Sequence, residues 1–337
     1  MTLYIQNIQL ENPVVLAPMS GVTDLPFRKL VKKLGAGLVI SEMTASEQLV
    51  GGRRDMLRKI ARDASPGPFV VQLAGREAIW MAEGAKMAVD AGAQIIDINM
   101  GCPSRHVTKG ASGSALMRDL DHAMGLIEAV IDAVDVPVTL KMRLGWDHAS
   151  LNAPELAQRA EQAGIAMVSV HGRTRCQFYK GDADWAAVRP VRDVLKIPLL
   201  VNGDIASAED AKRAMDLSGA DGVMVGRASY GRPWLPGYIA NQMAGRSSSI
   251  PDPAQQVGFL LEQFQGSLQL YGPTIGIKMF RKHIAWTLDA VCSHSQDQLE
   301  ISKTRQQLCR SADAVEIHSK LTALQNDLAQ TSVKQVA

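Results

Sequence analysis

Eight short apolar runs recur along the first 230 residues, and their regular return constrains the fold more than any other feature. Each run is continuously apolar and rich in β-branched residues, which is typical of strands buried on both faces of a parallel sheet. Segments with helical periodicity separate the runs, and several end in Gly, a helix stop signal. The runs are "VVLAPM" (14–19), "LVISEM" (38–43), "FVVQLAG" (69–75), "IIDINMG" (95–101), "VTLKMRLG" (138–145), "MVSVHGR" (167–173), "PLLVNGD" (198–204) and "DGVMVGR" (221–227).

This alternation predicts an α/β fold, a (β/α)8 TIM barrel, over residues 1–244. A doubly wound sheet is the alternative, and the lack of a GxGxxG motif after any run counts against it. A Ser/Pro-rich linker follows at residues 245–253, "GRSSSIPDP". Beyond it the apolar spacing is helical, so residues 254–337 are predicted to form a small C-terminal helical-bundle domain.

The composition excludes several classes of protein. A formal net charge of +2 is too small to indicate nucleic-acid binding from bulk charge. The four cysteines have no CxxC spacing, the first residues lack a signal-peptide pattern, and no apolar run approaches the ~18 residues of a membrane helix. We therefore expect a cytoplasmic protein without a metal site or a membrane anchor, whose partners must be found from local sites.

Polar groups end all eight runs, and the carboxyl ends of parallel strands converge at the mouth of a barrel. The longest interval, between the fourth and fifth runs, adds extra chain over that mouth. Taken singly, each polar group could be an ordinary solvated strand end, but their recurrence favours a binding site. These strand-end positions are Met19, Ser20, Glu42, Gln72, Asn99, Lys141, Arg143, His171, Arg173, Asn202, Asp204, Gly226 and Arg227.

Two of these regions predict the kind of ligand. Glycines and backbone N–H groups in "VNGD" (201–204) and "VGRA" (225–228) are typical of a phosphate site, although plain βα turns also use Gly. Asp204 is expected to cap the next helix or to hold a hydroxyl. Lys141 is costly to bury unless an anion meets it, and the N1/O2 edge of a flavin is such a partner. Gln72 suits the hydrogen-bonding edge of a planar heterocycle.

The stretch "IDINMGCPSRHVTKGASGSAL" (96–116) resembles the signature of the tRNA-dihydrouridine synthase family through its N-x-G-C-P core and its downstream G-S pair. The resemblance continues in family order through "APMSGVTDLPFR" (17–28), "QLAG" (72–75), "LKMRLGW" (140–146), "VHGRTR" (170–175), "VNGDI" (201–205) and "VMVGRA" (223–228). The segment "KMFRKHIAW" (278–286) is similar to the helical-domain motif of the bacterial B-type branch, the nitrogen-regulation-protein-3-like group.

The resemblance implies a barrel that binds FMN, a helical domain that binds tRNA, and NADPH-dependent reduction of specific uridines in the tRNA D-loop. It aligns Cys102 with the catalytic cysteine and Asn99 with the position that meets the uracil. The positions that it implies for FMN binding are Pro18, Met19, Ser20, Gln72, Lys141, His171, Asn202, Gly203, Asp204, Gly226 and Arg227.

Basic residues are expected to contact the tRNA around a base that is drawn out of its stack, because a flavin cannot reach a stacked uracil. Residues 241–337 hold nine Lys and Arg against eight Asp and Glu, so binding must depend on a patch rather than on bulk charge. The predicted substrate-binding residues are Asn99, Arg105, Lys109, Arg143, Arg173, Lys278, Arg281 and Lys282.

The resemblance implies a chemical role for Cys102 in this reaction. Saturating the 5,6-double bond of uracil needs a hydride at C6, supplied by N5 of the reduced flavin, and a proton at C5. A thiol with a pKa near about 8.5 is protonated at neutral pH and acidic enough to donate that proton. The alternatives for such a cysteine are a small buried apolar group or a nucleophile, and no His/Asn partner pattern is evident for the latter.

Two other functions remain open at this point. The first is an FMN-barrel oxidoreductase that acts on a free pyrimidine or another small molecule, which would leave the "KMFRKHIAW" segment unexplained. The second is a tRNA-binding or regulatory protein on a degenerate barrel, against which the intact catalytic positions argue.

Overall fold

The computed structural model describes residues 2–62, 67–293 and 298–336. Residues 1 and 63–66 of the predicted barrel domain, and residues 294–297 and 337 of the predicted helical domain, lie outside the described residues. An antiparallel hairpin, β1 (Leu3–Ile5) and β2 (Ile8–Leu10), begins the chain. The parallel strands are β3 (Val14–Leu16), β4 (Leu38–Val39), β5 (Thr44–Ala45), β6 (Val70–Ala74), β7 (Ile95–Met100), β8 (Val138–Arg143), β9 (Met167–His171), β10 (Leu199–Asn202) and β11 (Gly222–Val225).

The parallel strands form one curled sheet in the order β4-β3-β11-β10-β9-β8-β7-β6-β5. Its two edge strands, β4 and β5, belong to one short segment, so the chain itself joins the ends of the sheet. Ile40 bridges to Val70, and the Ser41 N–H donates to the Val70 carbonyl over 3.1 Å. The predicted strand at residues 38–43 is therefore split, and the TIM-barrel prediction is confirmed.

Helices alternate with the strands and then continue alone to the C-terminus. The helices of the barrel region are α1 (Leu25–Lys33), α2 (Ser46–Val50), α3 (Arg54–Lys59), α4 (Ala78–Asp90), α5 (Arg105–Lys109), α6 (Leu120–Ile131), α7 (Ala153–Ala163), α8 (Arg189–Val194), α9 (Ala208–Ser218) and α10 (Leu235–Met243). The C-terminal helices are α11 (Pro253–Tyr271), α12 (Pro273–Cys292), α13 (Gln298–Arg310) and α14 (Ala314–Val336).

Local sequence signals set several helix ends. Asp252 and Gln255 form a reciprocal capping box at the start of α11, with N–H donors at 2.8 and 3.0 Å from the two side-chain oxygens. Gly164 and Gly219 end α7 and α9 in the left-handed conformation, which glycine adopts without steric cost. Gly therefore acts as the helix stop that the sequence indicates.

The N-terminal hairpin closes one end of the barrel and was not predicted from the sequence. Leu3, Ile5 and Leu10 are buried in a cluster with residues near the starts of the barrel strands, among them Ile95 and Met167. Because the hairpin covers the amino ends of the strands, the carboxyl ends form the open mouth.

The C-terminal helices have an apolar core of their own and also contact the barrel. Phe264, Phe280 and Leu321 belong to a cluster built from α11 to α14. Gly266 of α11 lies so close to α1 that a Cβ on it would be 3.0 Å from the Pro26 Cβ, so glycine permits the approach of the two helices. No helix within the described ranges is long and apolar enough to cross a membrane.

We expect Ile5→Ala to destabilise the protein by about 2–4 kcal/mol, because Ile5 is fully buried under the barrel and its truncation leaves a cavity. Tyr4→Ala is the matched control, since the neighbouring Tyr4 is 51% exposed and should change stability by no more than about 0.5 kcal/mol. Urea denaturation followed by circular dichroism measures both. Equal losses would show that the hairpin is not part of the core.

Candidate active site

The carboxyl ends of five neighbouring strands bring predicted site residues into one buried layer. The strand register places Asn99 beside Lys141, and His171 beside Asn202. All of them are at most 8% exposed, so their polar atoms must find partners inside the protein. The layer consists of Gln72, Asn99, Lys141, His171 and Asn202.

A buried carboxylate that was not predicted, Asp97, lies beneath this layer. Its Oδ2 accepts a hydrogen bond from Gln72 Nε2 at 2.6 Å, and its Oδ1 accepts one from Thr139 Oγ1 at 2.6 Å. Burial raises the pKa of Asp97 to about 6, against the opposing hydrogen bonds and the charge of Lys141. A signal was present, because residues two apart on a strand share a face and Asp97 therefore points the same way as Asn99.

Asn99 holds the loop that carries Cys102. Its Oδ1 accepts from the Cys102 N–H at 2.9 Å and from the Gly101 N–H at 3.2 Å, while its Nδ2 donates to Gln72 Oε1 at 2.8 Å. The Cys102 carbonyl in turn accepts from Ser114 Oγ at 2.8 Å and from the Ser114 N–H at 3.1 Å. The Cys102 backbone is therefore fixed at both its amide and its carbonyl.

The environment of Cys102 keeps its side chain a thiol. The cysteine is half-buried, and burial raises the pKa of the thiol despite the Ser104 N–H and the positive charge of Arg143. Gly113 packs against it at a φ of +60°, where a Cβ would lie 2.9 Å from the Cys102 carbonyl oxygen. A protonated thiol suits a proton donor better than a nucleophile, which needs the thiolate.

Lys141 and His171 have opposite protonation states. Burial and the nearby Arg143 lower the pKa of Lys141 to about 8, so it is mostly charged at neutral pH, and its Nζ donates to Asn202 Oδ1 at 3.1 Å. Burial and the surrounding cations hold the pKa of His171 well below its usual value. The imidazole is therefore neutral and lies 3.2 Å from Arg173 Nη1.

Arg143 uses its guanidinium inside the protein. Its Nε donates to the Gly101 carbonyl at 2.8 Å, and its Nη1 donates to the carbonyls of Thr174 and Phe178, both at 2.9 Å. Burial lowers the pKa of Arg143 to about 10, which leaves it charged at neutral pH. Arg143 thus ties the cysteine loop to the loop that follows β9.

Asp204 lies between two arginines. Its Oδ1 accepts from Arg173 Nη1 at 3.1 Å and from Arg227 Nη2 at 3.3 Å. Burial would raise the pKa of Asp204, but the Arg173 hydrogen bond, the Ala183 N–H and the charge of Arg227 bring it below its usual value. Of the two roles expected for Asp204, capping of the next helix is wrong, because Ser207 caps α9 and Asp204 is held by arginine side chains. Its binding of a hydroxyl stays a prediction.

The turn at Gly203 requires glycine and lies beside several cations. Its φ is +117°, and a Cβ there would lie 2.8 Å from His171 Cδ2, so only glycine fits. Arg227 is half exposed, and its guanidinium lies 4.8 Å from the centroid of the Tyr179 ring. With Lys141 and Arg173 nearby and His171 neutral, the mouth carries an excess of positive charge, which fits a ligand that bears a phosphate.

The first strand contributes the remaining predicted cofactor residues. Pro18 and Met19 are partly buried and Ser20 is exposed in the turn after β3. The Met19 carbonyl accepts from the Val22 N–H at 2.9 Å, and the Gly21 N–H donates to a carboxylate oxygen of Glu42. The predicted residues after β10 and β11, Gly203, Asp204, Gly226 and Arg227, lie at the same end of the sheet.

The predicted substrate-binding cations are not all at the surface. Arg105 and Lys109 are exposed on α5, directly after the cysteine loop, and Lys278 is exposed on α12. Arg281 donates from Nη2 to the Ser311 carbonyl at 2.9 Å.

Among the described residues, no three or more His, Cys, Asp or Glu side chains form a group that could hold a metal ion.

Lys282 faces the barrel rather than the solvent. Its Nζ would lie 3.1 Å from a Cβ placed on Gly21. Burial lowers the pKa of Lys282, and the carboxylates of Asp24 and Glu42 partly oppose that shift. The next turn of α12 makes aromatic contacts with the barrel region. The ring centroids of His283 and Phe27 are 5.5 Å apart, and Trp286 is stacked on Tyr230 with ring centroids 4.1 Å apart. Much of the "KMFRKHIAW" segment is therefore an internal interface.

A family profile and two relatives of this chain agree on the family. A family profile described as "Dihydrouridine synthase (Dus)" matches residues 15–326. A "Probable tRNA-dihydrouridine synthase" of Rhizobium leguminosarum bv. phaseoli is 54% identical over 84% of this chain and 87% of its own length. "tRNA-dihydrouridine synthase B" of Xanthomonas campestris pv. campestris is 46% identical over 81% of this chain and 82% of its own length.

A solved structure supports the fold alone. Morphinone reductase superposes with a TM-score of 0.53 over 76% of this chain and 91% of that one, at 16% sequence identity. The chain is a (β/α)8 barrel, and its family profile and its relatives make it an oxidoreductase. The chain belongs to the dihydrouridine synthase family, as its sequence motifs predicted.

We expect Lys282→Met to raise the thermal stability by about 1 kcal/mol, because burial lowers the pKa of Lys282 more than the charges of Asp24 and Glu42 raise it, so the ammonium costs more to bury than its neighbours return. Lys278→Met, one turn earlier on the exposed face of α12, is the control and should stay within about 0.5 kcal/mol. Thermal unfolding measures both variants. Equal stability of the two would mean that Lys282 makes no net contribution to the interface.

Proposed function

We propose that the protein is a tRNA-dihydrouridine synthase that uses FMN and NADPH to reduce the 5,6-double bond of specific uridines in the tRNA D-loop. The observation that carries this proposal is Cys102, a protonated thiol held on a fixed loop beside a cationic, phosphate-compatible barrel mouth. The names of the relatives from Rhizobium and Xanthomonas support tRNA as the substrate.

FMN would be held by the barrel mouth, and when reduced it supplies the hydride for C6 of the uracil. Lys141 is charged and would face the N1/O2 edge, while Arg227 and the turns at Gly203 and Gly226 would hold the phosphate. Gln72 would support the heterocycle end of the site from beneath, because it is fully buried and its amide is bonded to Asp97 and Asn99. The other proposed FMN neighbours are Pro18, Met19, Ser20, His171, Asn202 and Asp204.

Cys102 would donate the proton to C5 of the uracil. Burial keeps the thiol protonated at neutral pH, and the hydrogen bonds from Asn99 and Ser114 fix the backbone that presents it. Asn99 remains a candidate to meet the uracil with its second amide hydrogen, since the first donates to Gln72.

The tRNA backbone would contact the exposed cations on both sides of this mouth. Arg105 and Lys109 flank the cysteine loop, and Lys278 is the exposed one of the three predicted cations on α12, the others being Arg281 and Lys282. We assign Arg143 and Arg173 a positioning role at the substrate pocket, because their guanidinium groups bind carbonyl oxygens and Asp204. Arg281 and Lys282 would shape the tRNA-binding surface through their contacts with Ser311 and the Gly21 turn.

The domain division that we propose follows from these roles. Residues 1–244 would bind FMN and carry out the reaction, residues 245–253 would act as the linker, and residues 254–337 would bind tRNA. The start of α11 at Pro253 and the separate apolar core of the C-terminal helices support this division. A cytoplasmic location stays a prediction.

The purified protein should convert one defined uridine to dihydrouridine when it is incubated with NADPH and tRNA from a strain that lacks the modification. Cys102→Ala should retain its flavin and lose roughly 10²–10⁴-fold in rate, which is the usual contribution of a general acid. Mass spectrometry maps and quantifies the product.

Cys176→Ser is the matched control, because Cys176 is exposed on the loop after β9 and has no part in the proposed chemistry. Full activity of Cys102→Ala would rule out the proton-donor role. The protein could instead bind flavin and oxidise NADPH, leave tRNA unchanged and reduce a free pyrimidine. That result would identify the small molecule, rather than tRNA, as the substrate.

A further inference from the structure

We propose that Asp97 is a positioning residue, the terminal acceptor of a buried hydrogen-bond chain that holds the backbone of Cys102 in place. The chain passes through Gln72 and Asn99, and Asp97 itself touches neither the cysteine nor the open mouth. The functional meaning of this inference rests on the proposed role of Cys102 as a proton donor, but the chain can be tested on the thiol alone.

Every donor in the chain points from the cysteine loop toward Asp97. The Cys102 N–H donates to Asn99 Oδ1 at 2.9 Å, Asn99 Nδ2 donates to Gln72 Oε1 at 2.8 Å, and Gln72 Nε2 donates to Asp97 Oδ2 at 2.6 Å. Asp97 and Gln72 are fully buried and Asn99 nearly so. Water therefore cannot reach these groups to replace a missing hydrogen-bond partner.

The direction of the chain follows from the chemistry at its two ends. A backbone N–H can only donate, so Asn99 must turn its carbonyl oxygen to Cys102 and its NH2 group to Gln72. Gln72 must then present its own carbonyl to Asn99 and its NH2 group to position 97. An acceptor is thus required at position 97, and without one Gln72 would bury an unsatisfied donor or turn over and release Asn99.

Asp97 meets this requirement with one oxygen and uses the other to accept from Thr139 Oγ1 at 2.6 Å. Asparagine at this position could keep the chain, because its carbonyl oxygen can accept from Gln72 while its NH2 group donates to the Thr139 hydroxyl. Leucine has a similar shape and no acceptor. The acceptor, rather than the size or the charge of the side chain, is therefore the feature that the chain needs.

The test compares the rate at which iodoacetamide alkylates Cys102 in the full chain, followed by peptide mass spectrometry with the exposed Cys176 as internal standard. Burial raises the pKa of the Cys102 thiol and slows its alkylation, so release of the loop should increase the rate. Asp97→Leu should raise the rate at least tenfold, whereas Asp97→Asn should stay within twofold of the unmodified sequence.

Thr139→Val separates positioning from general damage. It removes the other hydrogen bond of Asp97 and should lower stability, but it leaves the chain to Cys102 intact and should leave the alkylation rate within twofold. An Asp97→Leu protein that reacts like the unmodified one would overturn the proposal. So would an Asp97→Asn protein that reacts as fast as Asp97→Leu, because charge rather than an acceptor would then be responsible.

A second pair of variants keeps the test decisive if Asp97→Leu fails to fold. Gln72→Glu sets two carboxylates against each other at positions 72 and 97, so the link to Asp97 breaks, the side chain at 72 turns away from Asn99 and alkylation should accelerate. Adding Asp97→Asn lets the NH2 group at position 97 donate to the carboxylate at 72, which still accepts from Asn99, so the double variant should return to the slow rate. Equal rates in the single and double variants would refute the chain.

Failure of the proposed function gives a different pattern. If the unmodified protein makes no dihydrouridine but the alkylation rates follow the expected order, the chain stands and the substrate or the role of Cys102 is wrong. If dihydrouridine forms and the alkylation rates are all alike, the proposed function stands and the positioning role of Asp97 is withdrawn.

Discussion

Burying cationic side chains at one end of an apolar barrel is the constraint on which the rest of this structure depends. Lys141, Arg143 and Arg173 are each less than a tenth exposed, and a buried charge without acceptors would cost several kcal/mol or more. The acceptors come from the loops after the strands, as carbonyl groups for Arg143 and a carboxylate for Arg173. The cations therefore order the loops that form the mouth, and the neutral His171 avoids adding a further charge.

The architecture could be predicted from the sequence because parallel barrel strands are apolar on both faces and return at regular intervals. The second run showed the limit of this reasoning. Residues 38–43 look like one strand, but the chain must there pair with β3 on one side and β6 on the other, so it divides. The hairpin at residues 3–10 was missed because its short alternating segments form no continuous apolar run, and its apolar faces are explained only by the barrel above them.

That the candidate site residues lie together was predictable, whereas the partners of their side chains were not. Strand ends reveal which residues reach the mouth, and Gln72, Asn99 and Lys141 do lie together. Whether a side chain faces a ligand or a loop depends on contacts between distant segments. Arg143 binds a carbonyl that lies 35 residues further along the chain, and Lys282 meets a turn more than 200 residues before it, and neither contact leaves a local signal.

The barrel has its weakest backbone pairing at the split strand. Among the described residues, the ladder between β4 and β5 is reduced to the Ile40–Val70 bridge, which includes the hydrogen bond from the Ser41 N–H to the Val70 carbonyl, so fewer backbone bonds resist opening there than between neighbouring full strands. Glu42 lies in this gap and reaches across it to the Gly21 turn, on which Lys282 of α12 also rests. The C-terminal helices therefore contact the barrel next to its seam, so the closure of the barrel is shared with a part of the chain outside it.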